Sequence, residues 1–541
     1  MNAETVQKFL ENGFLPSPDL FGFQEKNFDK ILSQNKKEKM PFFINKDIIE
    51  AFAKGFDFKV NINWHEFDRS RALLEKGRDK KTYDVFLDLL NYNISDEEKY
   101  KIKRILDEVK KDEVKIELEE EKISSSIIII NSYKEESSKK DPDDFVFYLR
   151  SRYNTMKDLL INRSELKNSI SIKRVKTKQN KEIVSMIGIV LDKRTTKNGN
   201  IFFTIEDPTG EVNLLANKDN EIFKDAKDVV LDEVIGVTGV CSENFVFANK
   251  IIFPDVPITN ELRKCSDEVY AAFISDVHVG SRLFLKENLL KFFDWLNGKS
   301  LNILNRGIGK KVKYLFVIGD LVDGVGIYPD QYKELDIKDV REQYAAAAEI
   351  FSGLRKDLNV IICPGQHDAL RISEPQPPLD KEFAKPLWDL ENVTLVSNPS
   401  LVNIHSSKIF SGFNVLIYHG ASFHYYIDSV ESLRLNKARD NPGEVLKFLL
   451  KKRHLAPSHS STLYIPCRDK DPLIIDKIPD IFVSGEMHRS SMTNYNNVTL
   501  INCSCWQAKT DFQEKTGNNP DPCRVPIINL KTREVKLFDF S

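Results

Sequence analysis

Five short clusters in the C-terminal half hold side chains able to do metal and acid–base chemistry. They are Asp276-Val277-His278, Gly319-Asp320, Gly365-Gln366-His367-Asp368, His419-Gly420 and Gly485-Glu486-Met487-His488. Mixed carboxylate and imidazole donors suit Mn²⁺, Fe²⁺ or Zn²⁺, and a carboxylate between two sites can bridge ions ~3.5–4 Å apart. Such a pair generates hydroxide near neutral pH and clamps phosphoryl oxygens, which makes phosphoester hydrolysis the natural reaction. Each cluster follows an apolar, strand-like run (271–275, 314–318, 360–363, 414–418 and 480–484), with helical spacing over 286–296 and 343–356. Functional groups at the C-terminal ends of buried strands are the layout of an α/β layered domain.

The order of these clusters resembles the calcineurin-like metallophosphoesterase family, whose pattern is DxH, GD, GNH(D/E), H and GHxH. The resemblance implies that Asp276, His278 and His488 bind a first metal, Asp320 bridges, and His419 binds a second. It also implies that His367 protonates the leaving oxygen and holds the phosphate. Two positions depart from the pattern: Gln366 stands for an Asn, and Glu486 for the first His of the last block. Both are second-metal ligands in the family. Gln keeps an amide oxygen on a longer arm, and Glu is a hard-metal ligand that adds negative charge. The implied cofactor is two divalent ions, Mn²⁺ first with Fe²⁺ or Zn²⁺ as alternatives, and the second site rests on these substitutes. Asp323 and Asp368 are expected to orient a histidine or a metal-bound water, or else to cap turns. Arg371 and Arg489 flank the motifs as candidate DNA-phosphate contacts, with surface salt bridges as the alternative. His424, in the aromatic run His424-Tyr425-Tyr426, is expected to pack, with stacking on a frayed 3′ terminus as the alternative. Lys447, Lys451, Lys452 and Arg453 read as a solvated helix face, with a DNA-backbone track as the alternative.

Finer motifs narrow the resemblance. GDLVDG at 319–324 with Tyr328-Pro329, then Pro375-Gln376-Pro377, Ser397-Asn398-Pro399, LLKKRHLAP at 449–457, Asn502, Trp506-Gln507 and Thr510-Asp511-Phe512-Gln513 resemble the small subunit of the archaeal family D DNA polymerase. That family implies a replicative polymerase in which a chain of this kind carries a 3′→5′ proofreading exonuclease. The implied partners are a large catalytic subunit, which this chain scaffolds, and primer–template DNA, with other replication factors reached through the N-terminal region. A rival reading is an architectural subunit with a degenerate site, motivated by Gln366 and Glu486. Retention of Asp276, His278, Asp320, His367, His419 and His488 favours activity. A stand-alone phosphodiesterase would leave the rest of the chain without purpose.

The length of 541 residues suggests three or four domains, and 79 Lys+Arg against 81 Asp+Glu exclude a strongly basic nucleic-acid binder. The expected fold is multidomain. A small helical domain spans 1–110 and a flexible charged tether 111–144, within which the Ile-rich island at 127–130 could dock as a strand. A lead-in helix and an OB-type β-barrel occupy 145–260, and a calcineurin-like phosphoesterase domain 261–541. Five short alternating runs (184–191, 201–207, 212–215, 234–240 and 244–252) suit the barrel, and Phe202-Phe203 could offer a stacking face unless one of them is core. Seven cysteines without a CxxC pair point to neither a zinc ribbon nor a disulfide framework. With no apolar run of ~18 residues and no signal pattern, no membrane is implied and the expected location is cytoplasmic.

Overall fold

The computed structural model describes residues 127–541 apart from 135–138, 244, 300–302 and 469, together with residues 7, 9–11, 14–16 and 43–44. The helical domain expected over 1–110, and the tether up to residue 126, fall outside the described residues but for those few. The chain forms two compact units, Met1–Lys122 and Ile123–Ser541, and the second contains every element below.

It opens with strand β1 (Ile127–Ser132) and helix α1 (Pro142–Leu160). Asp141 caps α1 by accepting from the amides of Asp143 and Asp144, while the Asp144 carboxylate accepts from the Asp141 amide. With Pro142 in the first turn, the DPDD sequence is a complete helix start. The barrel follows: β2 (Ile183–Thr195), β3 (Ile201–Asp207), β4 (Gly210–Ala216), β5 (Val234–Cys241) and β6 (Val246–Ile252), closed in the order β2-β3-β4-β6-β5. Strict alternation sends Phe203 and Ile205 into the barrel core and leaves Phe202 facing outward. Register then aligns Arg194 with Phe202, Phe202 with Leu215, and Leu215 with Phe247, one outward row across four strands. The Arg194 guanidinium lies 4.8 Å from the Phe202 ring centroid, and Phe245 meets Phe247 edge to face at 4.8 Å.

The remaining chain builds β7 (Tyr270–Ile274), α2 (Lys286–Leu296), β8 (Val312–Ile318), α3 (Val340–Ser352), β9 (Asn359–Cys363), β10 (Val393–Leu395), β11 (Ser400–Ile404), β12 (Phe413–Ile417), α4 (Phe423–Ser429) and α5 (Gly443–Lys452). It ends with β13 (Ile481–Ser484), β14 (Ser491–Tyr495), β15 (Val498–Asn502), α6 (Asp511–Thr516), β16 (Arg524–Asn529) and β17 (Val535–Asp539). These strands make two six-stranded sheets, β10-β9-β8-β7-β16-β17 and β14-β15-β13-β12-β11-β1. Phe273, Phe316, Ile361, Val415 and Ile481 pack between the sheets. Leu289, Phe292 and Phe351 of α2 and α3 cover one outer face, and Tyr426, Leu446 and Leu449 of α4 and α5 the other. Burial on both faces explains why the central strands are apolar without alternation.

The Ile-rich island is β1, an edge strand antiparallel to β11. The basic run on α5 is neither solvated nor a DNA track over most of its length. Buried Lys452 pairs with Glu233 of the barrel at 2.8 Å, Lys451 with Asp225 at 3.1 Å, and buried Arg453 donates to the carbonyls of Ile475 and Asp476. Lys451 and Lys452 thus join the barrel to the C-terminal sandwich, while Arg453 ties α5 to the segment around 475 within the sandwich domain. A second joint centres on Asp471, which is fully buried. It accepts from Arg152 Nε (2.7 Å) and the Tyr148 hydroxyl (2.8 Å) of α1, and His454 Nε2 lies 2.9 Å away. Arg152 also donates to the Pro457 carbonyl. All seven cysteines are free thiols, with Cys503 and Cys505 both buried. Among the described residues no helix is long and apolar enough to cross a membrane.

Candidate metal centre

The parallel pairs β8/β7, β8/β9 and β12/β13 align their C-terminal ends along one edge of the sandwich. Asp276 and His278 follow β7, Asp320 follows β8, Gln366 and His367 follow β9, His419 follows β12, and Glu486 and His488 follow β13. Asp276, His278, Asp320, Glu486 and His488 all hold a left-handed backbone, with φ between 48° and 69°. Five side-chain-bearing residues in a region that costs energy are tolerated only where packing over-determines them, a mark of functional sites.

Donor atoms of Asp276, His278 and His488 fall within 4.8 Å of one another, as do those of Asp276, Asp320 and His419, and those of His278, Asp320 and His367. Asp320 thus sits between two pockets. His488 Nε2 lies 3.2 Å from Asp276 Oδ1 and 3.3 Å from His278 Nε2. His419 Nε2 lies 3.3 Å from both Asp320 Oδ1 and Glu486 Oε2. The outer nitrogens are engaged elsewhere. His419 Nδ1 donates to the Ile318 carbonyl (2.8 Å), His278 Nδ1 to Asp323 Oδ1 (3.0 Å), and His367 Nδ1 to the Asp323 carbonyl (2.8 Å). In a neutral imidazole this leaves Nε2 with its lone pair, the arrangement seen behind metal-ligating histidines. Gln513 of α6 reaches His488 Nδ1 at 2.9 Å.

Asp276 Oδ1, Gln366 Oε1 and His419 Nε2 are buried without a hydrogen-bond partner. An unmet buried polar atom costs about 1–3 kcal/mol, so three at the same strand ends fit a ligand set for cations. Burial opposes charge on His419, yet Asp320, Glu486 and Asp276 raise it well above the ordinary histidine range. Burial likewise works against the Asp320 carboxylate, which His419, His367 and His278 hold far below its usual value. Carboxylates and imidazoles that favour one another's charged forms in this way fit cationic charge at the centre of the cluster.

The supporting aspartates divide their roles. Asp323 orients His278 and accepts from Gln331 and Gln507. Asp368 ties loops, accepting from the amides of Gly365, Leu321 and Val322 and from the Tyr344 hydroxyl, and touches no histidine among its hydrogen bonds. Burial, then Asp320, pushes its carboxyl up to about 6. Arg371 is turned onto the carbonyls of Ser373 and Pro375 in its own loop. Arg489 is one-third exposed, donates to the Asn519 carbonyl and lies 3.5 Å from Asp440. His424 does not simply pack: its Nε2 lies 3.4 Å from Glu486 Oε1.

A family model describing the B-type subunits of DNA polymerases alpha and epsilon matches residues 271–493. Another, described as OB-fold nucleic acid binding domain, matches residues 184–251. The chain is similar to the DNA polymerase II small subunit of Methanothermobacter thermautotrophicus, 39% identical over 399 residues that cover 74% of this chain and 79% of that one. It is also similar to that of Pyrococcus furiosus, 38% identical over 395 residues covering 72% of this chain and 63% of the other. Among solved structures, an archaeal phosphodiesterase is 14% identical, with 50% of this chain and 99% of that one covered at a TM-score of 0.25.

Proposed function

Since the chain belongs to the family of archaeal DNA polymerase II small subunits, we propose that it supplies that polymerase with a metal-dependent 3′→5′ exonuclease and scaffolds the large catalytic subunit on primer–template DNA. The observation that carries the nuclease is the meeting of Asp276, Asp320 and His419, whose donor atoms lie within 4.8 Å of one another, with Asp276 Oδ1 and His419 Nε2 buried and unpartnered. Two divalent ions, Mn²⁺ or else Fe²⁺ or Zn²⁺, would be held by Asp276, His278 and His488 in one pocket and Gln366, His419 and Glu486 in the other, and would supply Lewis acidity and an activated water.

The protein's own groups do the rest. His367, held by its Nδ1 on the Asp323 carbonyl and by its amide on Asp320 Oδ1 (2.9 Å), would act as the imidazolium that nearby Asp320 favours against burial, giving the second proton, on Nε2, to the leaving 3′ oxygen. Arg489, partly exposed one residue beyond His488, would meet the strand's backbone, whereas Arg371 would first have to leave its loop carbonyls.

The test is degradation of a 3′-end-labelled mismatched primer–template with Mn²⁺, by this chain alone and with its large subunit. Label loss that falls about 10²–10⁴-fold in His367→Ala, and disappears in Asp320→Ala, is the expected result. No cleavage in either setting, with the two subunits still assembling, would leave the architectural reading.

The outward row on the barrel suits a single strand, because aromatic faces stack bases and a guanidinium beside them meets phosphate. Phe202→Ala and Phe247→Ala are each expected to weaken binding of an oligo-dT strand by about 1–3 kcal/mol in fluorescence anisotropy at fixed salt. Unchanged affinity in both would remove the barrel from the DNA path.

A further inference from the structure

Three residues separate His419 from helix α4, whose first turn folds back over the loop that carries Glu486. Gly420 permits this approach: its φ is +129°, and a Cβ there would come within 2.9 Å of the Phe423 ring and 3.0 Å of Glu486 Cβ. His424 is thereby brought beside Glu486, whose two carboxylate oxygens are divided. Oε2 faces His419 Nε2 at 3.3 Å, and Oε1 faces His424 Nε2 at 3.4 Å. The Glu486 backbone is fixed independently by its left-handed φ of 69° and by its amide, which donates to Asp276 Oδ2 at 3.1 Å. What remains free is the flexible side chain, and His424 is the group that meets its outer oxygen. Its imidazole is 43% exposed, so it lies at the rim of the site.

We propose that His424 is a positioning residue for the second pocket: by holding Glu486 Oε1 it keeps Oε2 directed at the space shared with His419 and Asp320. The inference rests on reading these residues as a metal centre. A glutamate has more rotamers than a histidine to lose on ligating, and an outer-shell partner that selects one of them raises affinity without touching the ion.

The test is Mn²⁺ binding to the full chain, followed by calorimetry and by the electron paramagnetic resonance signal of free Mn²⁺. His424→Ala is expected to weaken the second ion about 10–100-fold and leave the first unchanged. His424→Gln, whose amide N–H can reach the place of Nε2, restores most of the loss, and His424→Leu repeats the alanine result. In a Glu486→Ala background, His424→Ala changes nothing further. Two ions bound with wild-type affinity by both His424→Ala and His424→Leu would overturn the inference alone, as would an undiminished effect of His424→Ala without Glu486. A wild-type chain that takes up fewer than two ions would overturn it together with the metal reading of the second pocket.

Discussion

Replacing Asp471 by alanine is expected to cost the fold about 3–5 kcal/mol, because it strands the buried Arg152 guanidinium without its counter-charge. Arg152 and Asp471 are 2% and 0% exposed, and the surrounding donors, Tyr148 and His454, all aim at the same carboxylate. The Ala456 amide donates to His454 Nδ1, so His454 meets Asp471 through a protonated Nε2 as a neutral ring. Replacing both members of the pair, Arg152→Met with Asp471→Leu, should cost less than Asp471→Ala, since no charge is then left buried alone. Urea unfolding of the full chain reads both, and a double variant no more stable than the single one would refute the argument. Burial alone would raise the Asp471 carboxyl, but Arg152 and then His454 hold it well below the usual carboxylate range. A group depressed in the folded state contributes fully above its unfolded value of ~3.9 and loses that contribution as pH falls below it. The wild-type chain should therefore lose stability over that acid range more steeply than Asp471→Asn.

Gly365→Ala should empty the metal centre while leaving the sandwich folded. A Cβ at residue 365 would overlap Asp320 Oδ1 and lie 2.5 Å from the Asp320 amide nitrogen and 2.8 Å from His419 Nε2. The Asp320 amide is backbone at a strand end and cannot step aside, and the atom met first is the Asp320 carboxylate oxygen, so that carboxylate must move. A displacement of about 1 Å at the reacting groups costs on the order of 10²-fold, and both pockets share Asp320. The expected outcome is loss of Mn²⁺ uptake in calorimetry with at least that loss of nuclease activity, and circular dichroism unchanged. Wild-type metal binding by Gly365→Ala would show that Asp320 is not the shared ligand.

The candidate metal centre is legible in sequence because each of its residues follows an apolar run that folds as a buried strand, so local pattern alone places Asp276, Asp320, His367 and His419 at strand ends. The barrel runs are legible for the same reason, with alternation deciding that Phe203 is core and Phe202 is not. What distance in sequence conceals is the joinery. Tyr148 and Arg152 meet Asp471 more than 300 residues away, and Lys452 looks like one more surface cation until Glu233 is set against it. His424 reads as a packing residue because its aromatic neighbours dominate the local pattern. Only the return of the Glu486 loop gives it a polar partner.

Strand β1 has a consequence for synthesis. Its partners run from Ser400 back along β11, with Ser132 opposite Ser400 and Ile127 opposite Ile404, so the ribosome finishes the isoleucine-rich segment long before its mate exists. At about 5–20 residues per second, the wait is on the order of a quarter to nearly a full minute. During that interval the barrel can close, while IIIINS remains an unclaimed apolar β-former of the kind that pairs with neighbouring chains. Truncated products that stop before β11 should accordingly be the insoluble ones, and chaperone demand should fall once residue 404 has cleared the exit tunnel.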